Sequence, residues 1–163
     1  TDFAISAEYG EHPDILFQAL LKDPFCVLCR PEHRFASRAG VSWVELADER
    51  CIGFERETSN RGLIDRALAH AGVTFRARME LTQLGTVIGM VEVGEGVAAI
   101  PWMARPLTGD LVTVPLVDPV VERDVGIARL RGRSLSHAAR AFAQAVEMEI
   151  GSLPTATCRA SSP

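Results

Sequence analysis

Thr82–Pro101, TQLGTVIGMVEVGEGVAAIP, decides how the rest of the chain is read. Leu84, Val87, Ile88 and Val91 recur at helical spacing behind Thr82, a residue able to cap a helix start. Gly94 and Gly96 then supply a turn, since glycine takes positive φ without a Cβ clash. Val97–Ile100 is an apolar run suited to a strand covered on both faces, and Pro101 stops it. An earlier segment repeats the plan. Cys51-Ile52-Gly53-Phe54 reads as a strand, and Thr58-Ser59-Asn60 opens a helix that ends at Gly72. Strand, capped helix, strand, capped helix, strand is the pattern of parallel α/β architecture. Sheets of that kind take small ligands where strands run into helix starts.

The 163 residues suit one domain or two small lobes, and the 47% hydrophobic content is ample for a packed core. A net charge of −4 gives no general attraction to nucleic acid. No apolar run reaches the roughly 18 residues needed to span a bilayer, and the opening TDFAISAEYGEHPD lacks the basic start and apolar core of a signal peptide. A cytoplasmic protein without membrane association is expected. Four cysteines are present. Cys26 and Cys29 form a C-x-x-C, but within a strand-like run, where residues three apart point to opposite faces. Redox pairs normally sit at a helix start, and no second C-x-x-C or H-x-x-x-H completes a zinc set. Buried, reduced cysteines are expected. His12, His70 and His137 are scattered, and His33 lies in a polar turn suited to a solvated or capping role. G-x-S-x-G, Walker and G-x-G-x-x-G motifs are missing; Gly94-Glu95-Gly96 precedes a strand, the wrong order for a dinucleotide fingerprint. The reading is of a non-enzyme with no metal and no cofactor.

Along the chain, Phe3–Ser6 is a short strand, and Ile15–Leu21 and Phe25–Cys29 are two more, split by Pro24. Ser42 starts a short helix over Trp43–Ala47, with Glu45 completing a capping box. The helix after Thr58 carries Leu63, Ile64, Ala67, Leu68 and Ala71 on one stripe, with Arg61, Asp65 and Arg66 off it. Phe75–Leu81 alternates apolar and charged residues, and the charged face suggests an edge position or a partner surface. Gly85 and Gly89 leave room for another backbone against their helix. Leu111–Val117 and Val125–Leu130 are further strands, and Ser134 or Ser136 caps a helix to about Ile150, with Ala138, Phe142, Ala145 and Val146 as its apolar stripe. Residues 151–163 read as a flexible tail.

These landmarks, in this order, resemble the effector-binding domain of LysR-type transcriptional regulators. Asp2-Phe3-Ala4-Ile5 is similar to that family's "D-L-A-I" strand. Asp23-Pro24-Phe25 through Pro31-Glu32-His33-Arg34-Phe35-Ala36 is similar to its "D-P-hydrophobic … P-x-H-P-L-A" segment. Val41–Ala47 resembles "hydrophobic-S-W-x-D-L-A", and Gly94–Pro101 resembles "G-x-G-V-A-hydrophobic-hydrophobic-P". The resemblance covers about residues 2–148. It implies a type II periplasmic-binding-protein-like α/β fold of two lobes. Residues 1–23 and 132–150 would belong to a partial lobe one, and residues 24–131 to a largely complete lobe two. The family's winged helix-turn-helix, linker helix and first half of lobe one precede the "D-L-A-I" strand, so the expectation is an amino-terminally truncated domain.

The resemblance also implies a function. A small anionic metabolite would bind between the lobes and change how a full-length oligomer presents DNA-binding heads that this chain does not contain. The helix over Gly62–Ala71 corresponds to one that packs against a second subunit in the family, which implies a homodimer or higher homo-oligomer of the full-length protein. Two helix starts are the candidate ligand site: Thr58, Ser59 and Asn60 after one strand, Thr82 and Gln83 after the next. Free amide groups and a partial positive charge at a helix start favour an anion, and hydroxyls add orientation. The alternative is that these are ordinary N-caps, each stabilising its helix by about 1 kcal/mol. Phe54 and Trp102, at the ends of two strands, are either apolar walls of the site or core. Arg129, Arg131 and Arg133 form a basic cluster that suits an anion, DNA or a solvated hinge. Two other functions share these features: the solute-binding protein of a transporter, and an α/β enzyme holding a substrate anion.

Overall fold

The computed structural model describes residues 2–8, 10 and 12–152. These divide into two compact units, one of residues 2–23 and 123–152, the other of residues 24–122. The second passage between units thus falls earlier in the chain than the 131/132 expected.

In the first unit, β1 (Ala4–Ala7) pairs antiparallel with β8 (Glu122–Leu130), Ala4 opposite Ala128. β8 also pairs with the first part of β2 (Ile15–Cys29). Gly126 is required there, because a Cβ would collide with the Gln18 carbonyl. Asp23, fully buried, meets the Arg123 guanidinium at 2.8 Å. α3 (His137–Ser152) is capped by Ser136, whose hydroxyl accepts the Ala139 N–H at 3.2 Å. The helix includes Gly151 and Ser152, the first two residues of the expected tail; residues 153–163 lie outside the described residues. Its buried contact is Ala143 rather than Phe142, which is 58% exposed and stacks on Phe3 at 6.0 Å.

The second unit is built on the rest of β2, flanked by β7 (Val112–Val117) on one side and β6 (Val97–Pro101) on the other, both antiparallel to it. Beyond β6 lie β4 (Cys51–Phe54) and then β5 (Met79–Leu81), both parallel to β6. β3 (Val41–Ser42) pairs with β7. The sheet is therefore mixed: β5, β4 and β6 run parallel to one another, as do β3 and β7. β2 runs through Pro24 unbroken. Proline is tolerated because the strand changes partners there: ladder pairing with β6 begins at Phe25, and the Phe25 N–H goes to the Val121 carbonyl at 2.9 Å.

Two helices cover the sheet, one on each face. α1 (Ser59–His70) sends Ile64 and Leu68 into a core with Cys51, Val97, Ala99 and Trp43. α2 (Leu84–Glu92) sends Val87 and Val91 into the opposite core with Ile52, Phe54, Ala98 and Ile100. After α2 the chain turns at Gly94, φ +86°, and Gly96, where a Cβ would run into the Arg50 carbonyl. Strand β5 is shorter than expected. Residues 75–78 leave the ladder so that Phe75 can bury edge-on against Trp43, ring centroids 5.7 Å apart. The Trp43 N–H donates to the Pro119 carbonyl at 2.9 Å. Ser42 does not start a full helix. A single 3-10 turn, Glu45–Asp48, follows, although the Glu45 carboxylate still reaches back to the Ser42 N–H at 2.9 Å, as a capping box requires. Among the described residues, and apart from their own helix, no atom lies within 4 Å of where a Cβ would stand on Gly85 or Gly89, so no described backbone from another element uses the space they leave.

Candidate functional site

The carboxyl ends of β4, β5 and β6 lie along one edge of the second unit, and the candidate residues follow them. Phe54 ends β4 opposite Leu81 of β5. The next residue, Glu55, donates its N–H to the Leu81 carbonyl at 3.1 Å, which ties the β4–α1 loop to the last residue of β5. Thr58–Asn60 and Thr82–Gln83 are therefore neighbours across one strand pair. From there the chains diverge, α1 to one face and α2 to the other. A crevice outside the strand ends, where successive helices leave to opposite faces, is the place at which open α/β sheets bind ligands.

The two helix starts differ. The Thr58 hydroxyl donates to the Glu55 carbonyl at 2.7 Å and accepts the Arg61 N–H at 3.3 Å. Its donor is already used, so Thr58 acts as an N-cap. At α2 the cap position is Gln83, not Thr82, and no side chain caps it. The first amide groups of α2 thus keep their capacity for an acceptor from elsewhere. Charge points the same way. Glu55 and Glu57 precede α1, whereas neither the first turn of α2 nor the two residues before it carry an acidic residue. Ser59, Thr82 and Gln83 are exposed, and Asn60 is half-buried. Phe54 is buried in the α2-side core, and Trp102 packs half-buried against the same core.

Two residues of this neighbourhood escape the sequence reading. Arg105 lays its guanidinium over the Trp102 ring at 4.3 Å and donates to the Trp102 carbonyl at 2.9 Å, which adds a cation near the end of β6. The sequence signal was an arginine three residues after the strand-ending tryptophan. Arg61, read from the sequence as lying off the apolar stripe of α1, is buried. It is 4% exposed, lies over Phe75, and bridges Asp65 at 2.8 Å, Glu80 at 2.7 Å and the Phe54 carbonyl at 3.2 Å. Its fork fastens the start of α1 to the end of β4 and to β5.

A hollow of about 790 Å³ in this unit lies elsewhere, between α1 and residues 72–77. Arg56, Arg61, Arg76, Asp65 and Glu80 line it, and none of the candidate ligand residues does.

The described thiols and His33 are occupied in the fold. Burial pushes the Cys29 thiol up to about 11, and burial followed by the Glu49 charge pushes Cys51 up to about 12. Cys29 and Cys51 lie on strands separated by β6, about 9–10 Å apart at ordinary strand spacing and beyond disulfide reach. Cys158 lies outside the described residues. His33 accepts the Phe35 N–H at 3.2 Å through Nδ1 and meets Glu49 through Nε2 at 3.3 Å, a turn-capping role. Among the described residues, no group of three His, Cys, Asp or Glu is placed to hold a metal ion.

Comparison with known proteins turns the resemblance into an assignment. The family model for the LysR substrate binding domain matches residues 1–150. This chain belongs to that family. A relative in Escherichia coli (strain K12), the HTH-type transcriptional regulator YbhD, is 35% identical over 144 residues, covering 87% of this chain and 45% of that protein. This LysR-family chain thus spans about half the length of the curated relatives it matches. Among solved structures, HinK, a LysR family transcriptional regulator from Pseudomonas aeruginosa, superposes with a TM-score of 0.81 at 25% identity, over 94% of this chain and 54% of that one. The CcmR regulatory domain from Synechocystis PCC6803, solved in complex with 2-PG, gives 0.80 at 22% identity over 94% of this chain and 75% of that one, a likeness of fold. The architecture is thus the type II periplasmic-binding-protein-like α/β fold. No helix among the described residues is long and apolar enough to cross a membrane.

Proposed function

We propose that this domain is the ligand sensor of a LysR-type transcription regulator. A small anionic metabolite binds, without being transformed, at the carboxyl edge of β4, β5 and β6. The observation that carries the reading is the hydrogen bond from Glu55 to Leu81, which joins two helix starts that then leave to opposite faces. Within that edge the uncapped start of α2 holds the anion, through its first amides and the Gln83 side chain, with Ser59, Asn60 and Thr82 orienting it. Trp102 supplies an apolar wall, and Arg105 adds positive charge behind it. Thr58 and Phe54 support the site, as cap and as core, more than they touch the ligand. The presence of 2-PG in the CcmR regulatory domain, of the same fold, is consistent with a small-molecule site.

The ligand acts by favouring one arrangement of the full-length oligomer over another, and it can shift that balance only by its difference in affinity for the two. DNA is reached through a helix-turn-helix elsewhere in the full-length protein, which works in the cytoplasm as a homodimer or higher oligomer. The groove between α1 and residues 72–77, with its mixed charges over Leu68, Val73 and Phe75, supplies a surface for the second subunit. Catalysis plays no part in this reading.

The test is a thermal-shift screen of carboxylate and phosphate metabolites against the full-length protein, followed by calorimetry on the strongest hit. Ser59→Ala combined with Gln83→Ala is expected to weaken that hit at least about tenfold, the loss of one or two charge-assisted hydrogen bonds. Unchanged affinity would remove this edge from consideration.

A further inference from the structure

The first unit holds a second constellation that the sensor reading does not use. β8 ends at Leu130, the chain turns at Gly132, φ +77°, and α3 begins at His137. Around that turn lies an open hollow of about 510 Å³, lined by Arg129, Gly132, Arg133, Ser134, Leu135 and Arg140. Three arginines, one each from strand end, turn and helix, line it. No carboxylate lines it. Among the described residues none of the three arginines makes a salt bridge, although six other arginines do. An acidic group, Asp2, acts on one of them, Arg133. Its carboxylate is held below its ordinary range first by the Ser136 hydroxyl, then by the Ser136 N–H, and only in smaller part by Arg133.

Three like charges gathered with no carboxylate in salt-bridge contact, in a chain of net charge −4, repel one another at low salt. An anion relieves that repulsion. Arginine keeps its charge at every accessible pH, and its planar fork matches a phosphate oxygen pair. The volume lies within the range of small-molecule sites, with room beyond one phosphate.

We propose that this hollow binds the phosphate group of a small phosphorylated ligand. The proposal does not rest on the sensor site, since every lining residue belongs to the other unit.

Calorimetric titration of the chain with inorganic phosphate and with glycerol phosphate, at constant ionic strength in chloride, tests it. One-to-one binding is expected for both, tighter for the monoester if the space beyond the phosphate is used. Arg133→Gln and Arg140→Gln should each weaken binding at least about tenfold, as expected for losing a charge-assisted, two-pronged contact. Arg131→Gln removes the same charge from the same turn, but Arg131 points its Nε at the Pro13 carbonyl and does not line the hollow. It should leave affinity nearly unchanged. All three positions are exposed, so circular-dichroism melts can confirm that each variant folds. Equal weakening by Arg131→Gln and Arg133→Gln would show general surface charge and overturn the site. So would phosphate binding no tighter than chloride. A short DNA duplex that binds through these arginines, and that phosphate does not displace, would overturn the small-ligand assignment.

Discussion

α1 and α2 flank one sheet, follow neighbouring strands and start at the same edge, yet they are held in opposite ways. α1 is fastened by polar groups: the Thr58 hydroxyl closes its first turn, and the buried Arg61 ties it to Asp65, Glu80 and the end of β4. α2 has no side-chain cap, no acidic residue in its first turn and no basic residue in its last; Val87 and Val91, both fully buried, hold it by packing. A helix start consumed by its own protein is structural. A start left open, on a helix fixed by apolar contact, is free to receive a ligand. In the proposed function, this contrast gives support to α1 and recognition to α2.

The largest expected effect breaks the polar side of this contrast. Arg61→Ala strips the partner from Glu80, Asp65 and the Phe54 carbonyl. Because both carboxylates remain partly in water, a loss of about 2–3 kcal/mol is expected, below the ~3–5 kcal/mol of a wholly buried pair. Val91→Ala on α2 leaves only a cavity and should cost about 2 kcal/mol. Urea denaturation measures both. If Arg61→Ala costs under about 0.5 kcal/mol, the value of a typical surface substitution, the guanidinium does not fasten α1.

A smaller effect sharpens the division of labour. Thr58→Ala should lower stability by about 1 kcal/mol, the value of a lost N-cap, with little change in affinity for the strongest metabolite hit. Gln83→Ala should do the reverse, since its side chain makes no cap bond. A Thr58→Ala variant of wild-type stability that no longer binds would exchange the roles of the two helices.

Much of this was legible in the residues, and what escaped did so for identifiable reasons. The Thr82–Pro101 pattern gave α2, its glycine turn and β6, because helical spacing, positive-φ glycines and an apolar run agree there. Thr58 was legible as a cap because capping is local. Pro24 misled because a missing N–H matters only where a ladder needs one, and β2 changes partners at that point. The burial of Arg61 was not legible because its partner Glu80 lies nineteen residues away on another strand. Phe142 looked buried because the helical stripe was set one residue out of phase from Ala143. At the candidate site, sequence supplied the residue types. It did not reveal whether a hydroxyl's hydrogen bonds were already taken, and that is what separates Thr58 from Gln83.

The thiols provide the finest discrimination between the two faces. Cys29 and Cys51 lie in the α1-side core, and both have their titration raised, to about 11 and about 12. A raised folded value means that these groups stabilise fully below the unfolded value, near 9.0, and lose that contribution as pH climbs towards the folded one. Between pH 8 and 9.5 the unfolded thiols ionise while the folded ones stay neutral. Each should therefore cost about 0.8 kcal/mol over that interval. Denaturation at the two pH values checks the sum, and Cys51→Ala should remove its own share of the alkaline loss. An undiminished pH dependence in that variant would trace the alkaline loss to groups other than the Cys51 thiol.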